Sequence, residues 1–266
     1  MEKQKLVAVV IPIYELQPNA DETQVLSYYF RLFESYPIIF MTQEGLDTSF
    51  YEQIGKEQGH TNFSFERFTW KGYQQYIRLL VSPHFYERFL NYEYILLAHL
   101  DSFAFKAELE PWCKLGYDYI GAVIYNKSFV EEYIQSSSLL KLLRRFGMIP
   151  RFPAQNGGFS LRKVNSFYKN SRRFSYVIKN TSIVYTEDLF WSLRLPQMNP
   201  FFRVAPEKVA HKFAIELPSE KAPDFEPFVN DLSELPMGCH GWKAYGYSFW
   251  KAHLERVMQT KLSEIA

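Results

Sequence analysis

The apolar run Tyr94-Ile95-Leu96-Leu97-Ala98 ends in His99-Leu100-Asp101, an imidazole and a carboxylate two residues apart. Bounded by Asn91 and Lys106, residues 94–105 read as one fully buried strand. Alternate side chains of a strand share a face, which would put the Cα atoms of His99 and Asp101 ~6.5–7 Å apart on the same side. Both groups are ligands for a divalent cation. Polar side chains at the exit of a buried strand also sit where open α/β sheets bind ligands. The plain structural alternative is that Asp101 caps the segment beginning at Lys106 and His99 is a satisfied core histidine.

Four other groups bear on that choice. Asn156-Gly157-Gly158 precedes Phe159-Ser160-Leu161-Arg162, and paired glycines allow a backbone to approach a ligand where a side chain would collide. Neither a G-x-G-x-x-G nor a lysine-ended phosphate loop is present. Thr186-Glu187-Asp188 reads as a helix start, Thr186 being the cap. Its acids suit the helix dipole, and one carboxylate there could also act as a general base, desolvated by Leu189, Phe190 and Trp191. In Gly238-Cys239-His240-Gly241-Trp242-Lys243 a histidine stands between glycines with a lysine three residues on. That imidazole could hold Mn²⁺ and the ammonium could face a phosphate. Arg78, ahead of the His99 strand, could fold over its end and steady a diphosphate.

The elements that must position these residues alternate between strand and helix. Residues 6–13 form a first strand, 21–36 a helix capped by Asp21, 38–41 a second strand and 62–68 a third. A helical stretch at 73–90, broken near Ser82-Pro83, leads into the His99 strand. A short helix at 106–114 and a strand at 119–124 follow. This is the rhythm of a mostly parallel α/β sheet flanked by helices. Farther on, residues 157–162 and 202–205 are strand candidates, 186–195 begins a helix, 219–236 is a loop rich in proline and acid, and 247–265 is a closing helix. The simplest organisation is one domain over residues 1–266, with a nucleotide-binding half to about 125 and a substrate-shaping half beyond.

Composition narrows the function. Thirty basic against 29 acidic side chains give a formal charge of +1, with no excess to attract nucleic acid. Cys113 and Cys239 lack metal-type spacing, so a cytosolic protein with reduced thiols is expected. No run approaches the roughly 18 apolar residues that span a bilayer, and residues 1–11 lack a cleavage site of the secretory kind. Residues 139–146 are basic and amphipathic, which allows peripheral contact with a membrane surface. An ordinary solvated helix face is the plainer reading.

Together these motifs resemble a glycosyltransferase of the GT-A type, and more closely the bacterial and viral family DUF5672. The shared succession is Ile11-Pro12-Ile13-Tyr14, Glu44-Gly45-Leu46-Asp47, Leu100-Asp101-Ser102-Phe103-Ala104-Phe105, the Asn156-to-Arg162 segment, Glu187-Asp188 and Gly238-Cys239-His240-Gly241-Trp242. It covers residues 7–250.

The resemblance implies a GT-A-like fold and hexosyltransferase-like chemistry that moves a sugar from a nucleoside-diphosphate donor, UDP-linked, to a glycan or glycoconjugate acceptor in bacterial surface polysaccharide synthesis. It implies Mn²⁺ or Mg²⁺ held by Asp101 and His240. Pro12, Ile13, Tyr14, Glu44, Arg78, His99 and Lys243 would contact the donor. Asn156, Gly157, Gly158 and Trp242 would form the sugar and acceptor wall. Asp188 is the first candidate base and Glu187 the second. His99 stands where the D-x-D motif of such enzymes has its first aspartate. Two alternatives are a GT-A-like module that binds a nucleotide sugar or glycan without turnover, and a nucleotidyltransferase.

Overall fold

The computed structural model describes residues 4–125, 131, 134–135, 138–146, 154–180, 187–230, 232 and 234–263. In chain order it holds β1 (Lys5–Pro12), α1 (Ala20–Leu32), β2 (Ile38–Gln43), α2 (Ser49–Glu57), β3 (Phe63–Phe68), α3 (Gly72–Leu80), α4 (Pro83–Glu87), β4 (Tyr92–Ala98), β5 (Phe103–Ala104) and α5 (Glu110–Lys114). The remaining strands are β6 (Tyr119–Ile124), β7 (Gln155–Lys163), β8 (Ala214–Glu216) and β9 (Gly238–Cys239). Among the described residues they form one mixed sheet of order β3-β2-β1-β4-β7-β6-β8-β9-β5. The pairs joining β3, β2, β1 and β4 are parallel, whereas β7 runs antiparallel to both β4 and β6.

Alternate residues of the central strands feed two separate cores. Val7, Val9 and Ile11 of β1 and Tyr94 and Leu96 of β4 pack with α1, whereas Ala8, Val10, Ile95 and Leu97 pack with α3 and α4. Both faces of the sheet are therefore covered, which is why these strands read as unbroken apolar runs. Each large side chain buried there contributes about 1.5–3 kcal/mol by leaving water. The crossover after β1 covers one face and that before β4 the other. Their carboxyl ends diverge into a crevice between adjacent strands, the switch point at which open sheets bind ligands.

Local sequence explains the boundaries. Asn19, not Asp21, caps α1. Its Oδ1 accepts from the N–H groups of Asp21 and Glu22 at 3.1 Å, and Glu22 Oε2 accepts from Asn19 N at 3.2 Å. This reciprocal capping box leaves Asp21 in the first turn. Ser82 caps α4 and Pro83 starts it, so the stretch 73–90 breaks where expected.

The expected single strand over residues 94–105 divides. Ladder pairing of β4 with β7 ends at Ala98, and residues 99–102 turn. Ser102 donates to the His99 carbonyl from both N (3.1 Å) and Oγ (2.5 Å), a local alternative to a strand ladder. Phe103 then stacks on Tyr28 at 4.6 Å between ring centroids and carries β5 to the far edge of the sheet. His99 and Asp101 thus sit on a turn rather than alternating along a strand.

Three further expectations change. Residues 202–205 reduce to a bridge between Val204 and Tyr119. The loop expected over 219–236 includes a helix, Phe225–Asn230. The helix expected at 186–195 is one α-turn, Glu187–Leu189, then a π-helical turn, Phe190–Arg194. Thr186, its expected cap, lies outside the described residues, as do residues 264–265 of the closing helix, described as Tyr247–Ser263. Cys113 and Cys239 are buried free thiols. No helix among the described residues is long and apolar enough to cross a membrane.

Candidate active site

A cavity of ≈ 590 Å³ opens at the β1–β4 switch point, a size suited to a small-molecule ligand. Pro12, Ile13 and Tyr14 line it from the end of β1, and Trp70, Tyr73, Tyr76 and Ile77 from the approach to α3 and α3 itself. The turn after β4 supplies His99, Leu100 and Asp101, the start of β7 supplies Asn156, Gly157 and Gly158, and Glu187, Asp188 and His240 complete the wall.

His99, Asp101 and His240 converge. Asp101 Oδ1 lies 3.9 Å from His99 Nδ1 and 3.6 Å from His240 Nε2. One ligand atom from each residue falls within 4.8 Å of the others, a group that could hold a metal ion. The convergence follows from topology, because β5 begins two residues after Asp101, β9 ends at the residue before His240, and Phe103 pairs with Cys239. The Trp242 N–H then donates to the Asp101 carbonyl at 3.3 Å.

Each imidazole is oriented from behind. His240 Nδ1 donates to Glu216 Oε2 at 2.8 Å, which turns Nε2 toward Asp101. Asn156 Nδ2 donates to the same Glu216 oxygen at 2.9 Å, and Asn156 Oδ1 accepts from Gly158 N at 2.7 Å. His99 Nε2 meets the Tyr76 hydroxyl at 2.8 Å, leaving Nδ1 for Asp101. Burial pushes the His99 imidazole down to about 4, against the pull of Asp101. Burial also pulls His240 down, but Asp101 and the Glu216 hydrogen bond outweigh it and raise that imidazole to about 9. These shifts favour a neutral His99 beside a protonated His240 at neutral pH.

The paired glycines admit these groups. A Cβ on Gly158 would overlap the His240 ring and lie 3.1 Å from His99 Nδ1, whereas one on Gly157 would lie 2.6 Å from both Arg162 Nη2 and Glu187 Oε1. Gly157 N donates to Asp188 Oδ2 at 3.3 Å. The Asp188 carboxylate and the His–Asp–His cluster thus flank consecutive residues, whose Cα atoms stand about 3.8 Å apart.

The two acids at 187–188 have different partners. Glu187 Oε1 accepts from Arg162 Nη2 at 2.6 Å in a buried ion pair. Arg162 is fully buried and also donates to the Tyr86 hydroxyl, Ser160 Oγ and the Gly157 carbonyl. Glu187, expected as the second-choice base, lines the cavity with one carboxylate oxygen committed to that guanidinium. Asp188 is 4% exposed and accepts from Leu189 N at 2.8 Å.

Other expected residues lie off the cavity wall. Arg78 is exposed on α3, and Glu44 is exposed after β2. Lys243 pairs with Asp21 of α1, and Trp242 is buried and stacks on Tyr247. Helical geometry explains Arg78, since Ile77, Leu79 and Leu80 take the buried face. For Lys243, the acid-rich first turn of α1 is a nearer partner than the cavity. Glu216, Tyr76 and Arg162 were not expected at the site. Glu216 carries a sequence signal, a lone charge inside the apolar run Ala214-Ile215-Glu216-Leu217, whereas Arg162 stands next to Lys163 at the end of its segment and carries none. Tyr76 carries none among so many aromatics.

A family model described as "Protein of unknown function (DUF5672)" matches residues 60–240. No curated protein matches the sequence. Among solved structures, mouse xyloside xylosyltransferase 1 aligns at 10% identity and TM-score 0.55 over 88% of this chain and 97% of that one. The glycosyltransferase GlyE of Streptococcus pneumoniae TIGR4 aligns at 14% identity and TM-score 0.55, over 98% of this chain and 64% of its own. The bifunctional glycosyltransferase WbbM aligns at 16% identity and TM-score 0.53 over 89% and 45%. The chain spans under two thirds of GlyE and under half of WbbM. What is shared is the fold, a curled mixed sheet flanked by helices as in GT-A glycosyltransferases.

Proposed function

The chain belongs to the DUF5672 family, and from that footing we propose that it is a glycosyltransferase moving a sugar from a nucleoside-diphosphate donor to a glycan or glycoconjugate acceptor. The observation that carries this reading is the meeting of Asp188 with the His99–Asp101–His240 cluster in one cavity at the sheet's switch point.

In the transfer, the bond from the anomeric carbon to the leaving phosphate oxygen breaks and one to the acceptor oxygen forms. The acceptor proton is taken by Asp188, held against the Gly157 and Leu189 N–H groups. His99, Asp101 and His240 would hold a divalent cation, which supplies charge neutralisation for the departing diphosphate. The donor set fits a cation, since two imidazole nitrogens and a carboxylate oxygen face one point and both rings are locked from behind. Pro12, Ile13 and Tyr14 would flank the nucleoside, and Asn156, Gly157 and Gly158 would border the sugar and acceptor.

A UDP-linked donor, a role in bacterial surface polysaccharide and a cytoplasmic setting complete the proposal. Two free buried thiols support that compartment. The helix Ser138–Arg145, with exposed Leu142, Arg144 and Arg145, supports contact with a membrane or a lipid-linked acceptor.

The test is release of nucleoside diphosphate and formation of glycosylated product from a panel of nucleotide sugars and glycan acceptors. Asp188→Asn should lower kcat by about 10²–10⁴-fold and leave donor affinity unchanged. Donor binding without turnover in the wild type would instead mark a binding module.

A further inference from the structure

Position 99 decides which cation the site prefers. We propose that His99 makes the cluster select a first-row transition ion over Mg²⁺, a conclusion that rests on the cation site of the function proposed above and specifies it. The donors are His99 Nδ1, Asp101 Oδ1 and His240 Nε2. Mg²⁺ takes oxygen ligands in near-ideal octahedral geometry and sheds water reluctantly. Imidazole nitrogen favours Fe²⁺, Co²⁺ or Zn²⁺, and affinity for such sites rises from Mn²⁺ through Co²⁺. Two nitrogens against one carboxylate oxygen therefore place Mg²⁺ last.

Three independent features show the two-ring arrangement to be built rather than incidental. Tyr76 and Glu216 each occupy the rear nitrogen of one ring at 2.8 Å, so the front nitrogens are the ones presented. Gly158 leaves the space both rings fill, and any Cβ there would intrude on them. The separations of 3.6 and 3.9 Å between Asp101 and the rings fit pairs of ligands on one ion, which at about 2.1 Å each span up to about 4.2 Å, and all three ligand atoms lie within 4.8 Å, so a bound ion draws the two rings slightly together. The Asp101 side chain is 49% exposed and lines the cavity, which leaves room at the cluster for water or an anionic ligand.

The test uses the full chain and the metals alone. Calorimetric titration with MgCl₂, MnCl₂ and CoCl₂, without nucleotide, should show Mn²⁺ binding at least about tenfold tighter than Mg²⁺ and Co²⁺ tighter still. His99→Asp, with folding verified by circular dichroism, should shrink the Mn²⁺/Mg²⁺ ratio by about tenfold or more. Equal Mg²⁺ and Mn²⁺ affinities in the wild type, or an unchanged ratio in the variant, would overturn the proposal. The wild type gives a second readout that needs no variant: Zn²⁺ should shift the ¹⁵N resonances of His99 Nδ1 and His240 Nε2, and an unmoved His99 would equally overturn it. Because no sugar donor is present, intact selectivity without any glycosyl transfer would remove the proposed reaction and leave this assignment standing.

Discussion

Nε2 of His240 stands 3.6 Å from Oδ1 of Asp101, and the pairing of two-residue strands β5 and β9 brings them together. The cluster thus depends on the far edge of the sheet as much as on its centre. It also depends on space, which Gly158 provides.

Gly158→Ala should leave the fold in place but displace the His240 ring, which its Cβ would overlap. Mn²⁺ affinity should fall by about 10–100-fold, the scale seen when metal ligands lose their orientation. Calorimetry measures it, and an unchanged dissociation constant would show that the ring need not move.

Metal affinity should rise with pH. His240, raised to about 9, carries at neutral pH an Nε2 proton that a cation must displace, whereas His99, lowered to about 4, carries none. Below pH 9 each unit of acidification therefore costs about tenfold in affinity, with about one proton released per ion bound. Titration of Mn²⁺ at pH 6.5, 7.5 and 8.5 in buffers of different ionisation heat checks both numbers. A flat profile would contradict the protonated His240.

The Arg162–Glu187 pair beneath the cavity should behave as a buried unit. Arg162→Met leaves the Glu187 carboxylate uncompensated and should cost about 3–5 kcal/mol of stability. Adding Glu187→Leu should recover most of that loss. Urea unfolding of the single and double variants measures the coupling, and additive losses would mean that the two charges do not depend on each other.

Much of the parallel half was legible because β1, β2 and β4 are buried on both faces and appear as apolar runs separated by helical periods, while the edge strand β3 alternates apolar and polar residues. Asp101 and His240 were legible as polar groups at apolar or glycine-flanked positions. The strand around His99 misled because apolar residues resume at Phe103-Ala104-Phe105 beyond the polar His99, Asp101 and Ser102, so the turn that the Ser102 hydrogen bonds make after β4 looked like an interruption within one strand. Strands of two or three residues, such as β5, β8 and β9, carry no periodic signal, so the part of the sheet that delivers His240 and Glu216 was hidden. Glu187 and Asp188 are adjacent acids in the sequence. Only the position of Arg162 across from them distinguishes the acid that pairs with a buried guanidinium from the one that accepts from the Gly157 backbone.

The most direct measurement of the central claim is the thermal stability of wild type and Asp101→Ala against a panel of nucleotide sugars, with and without Mn²⁺. A cognate donor at a hundred times its dissociation constant should add about 2.7 kcal/mol of stability to the wild type only when Mn²⁺ is present, and Asp101→Ala should lose that gain. Absence of any Mn²⁺-dependent shift with every nucleotide sugar, or an equal shift in Asp101→Ala, would contradict the account.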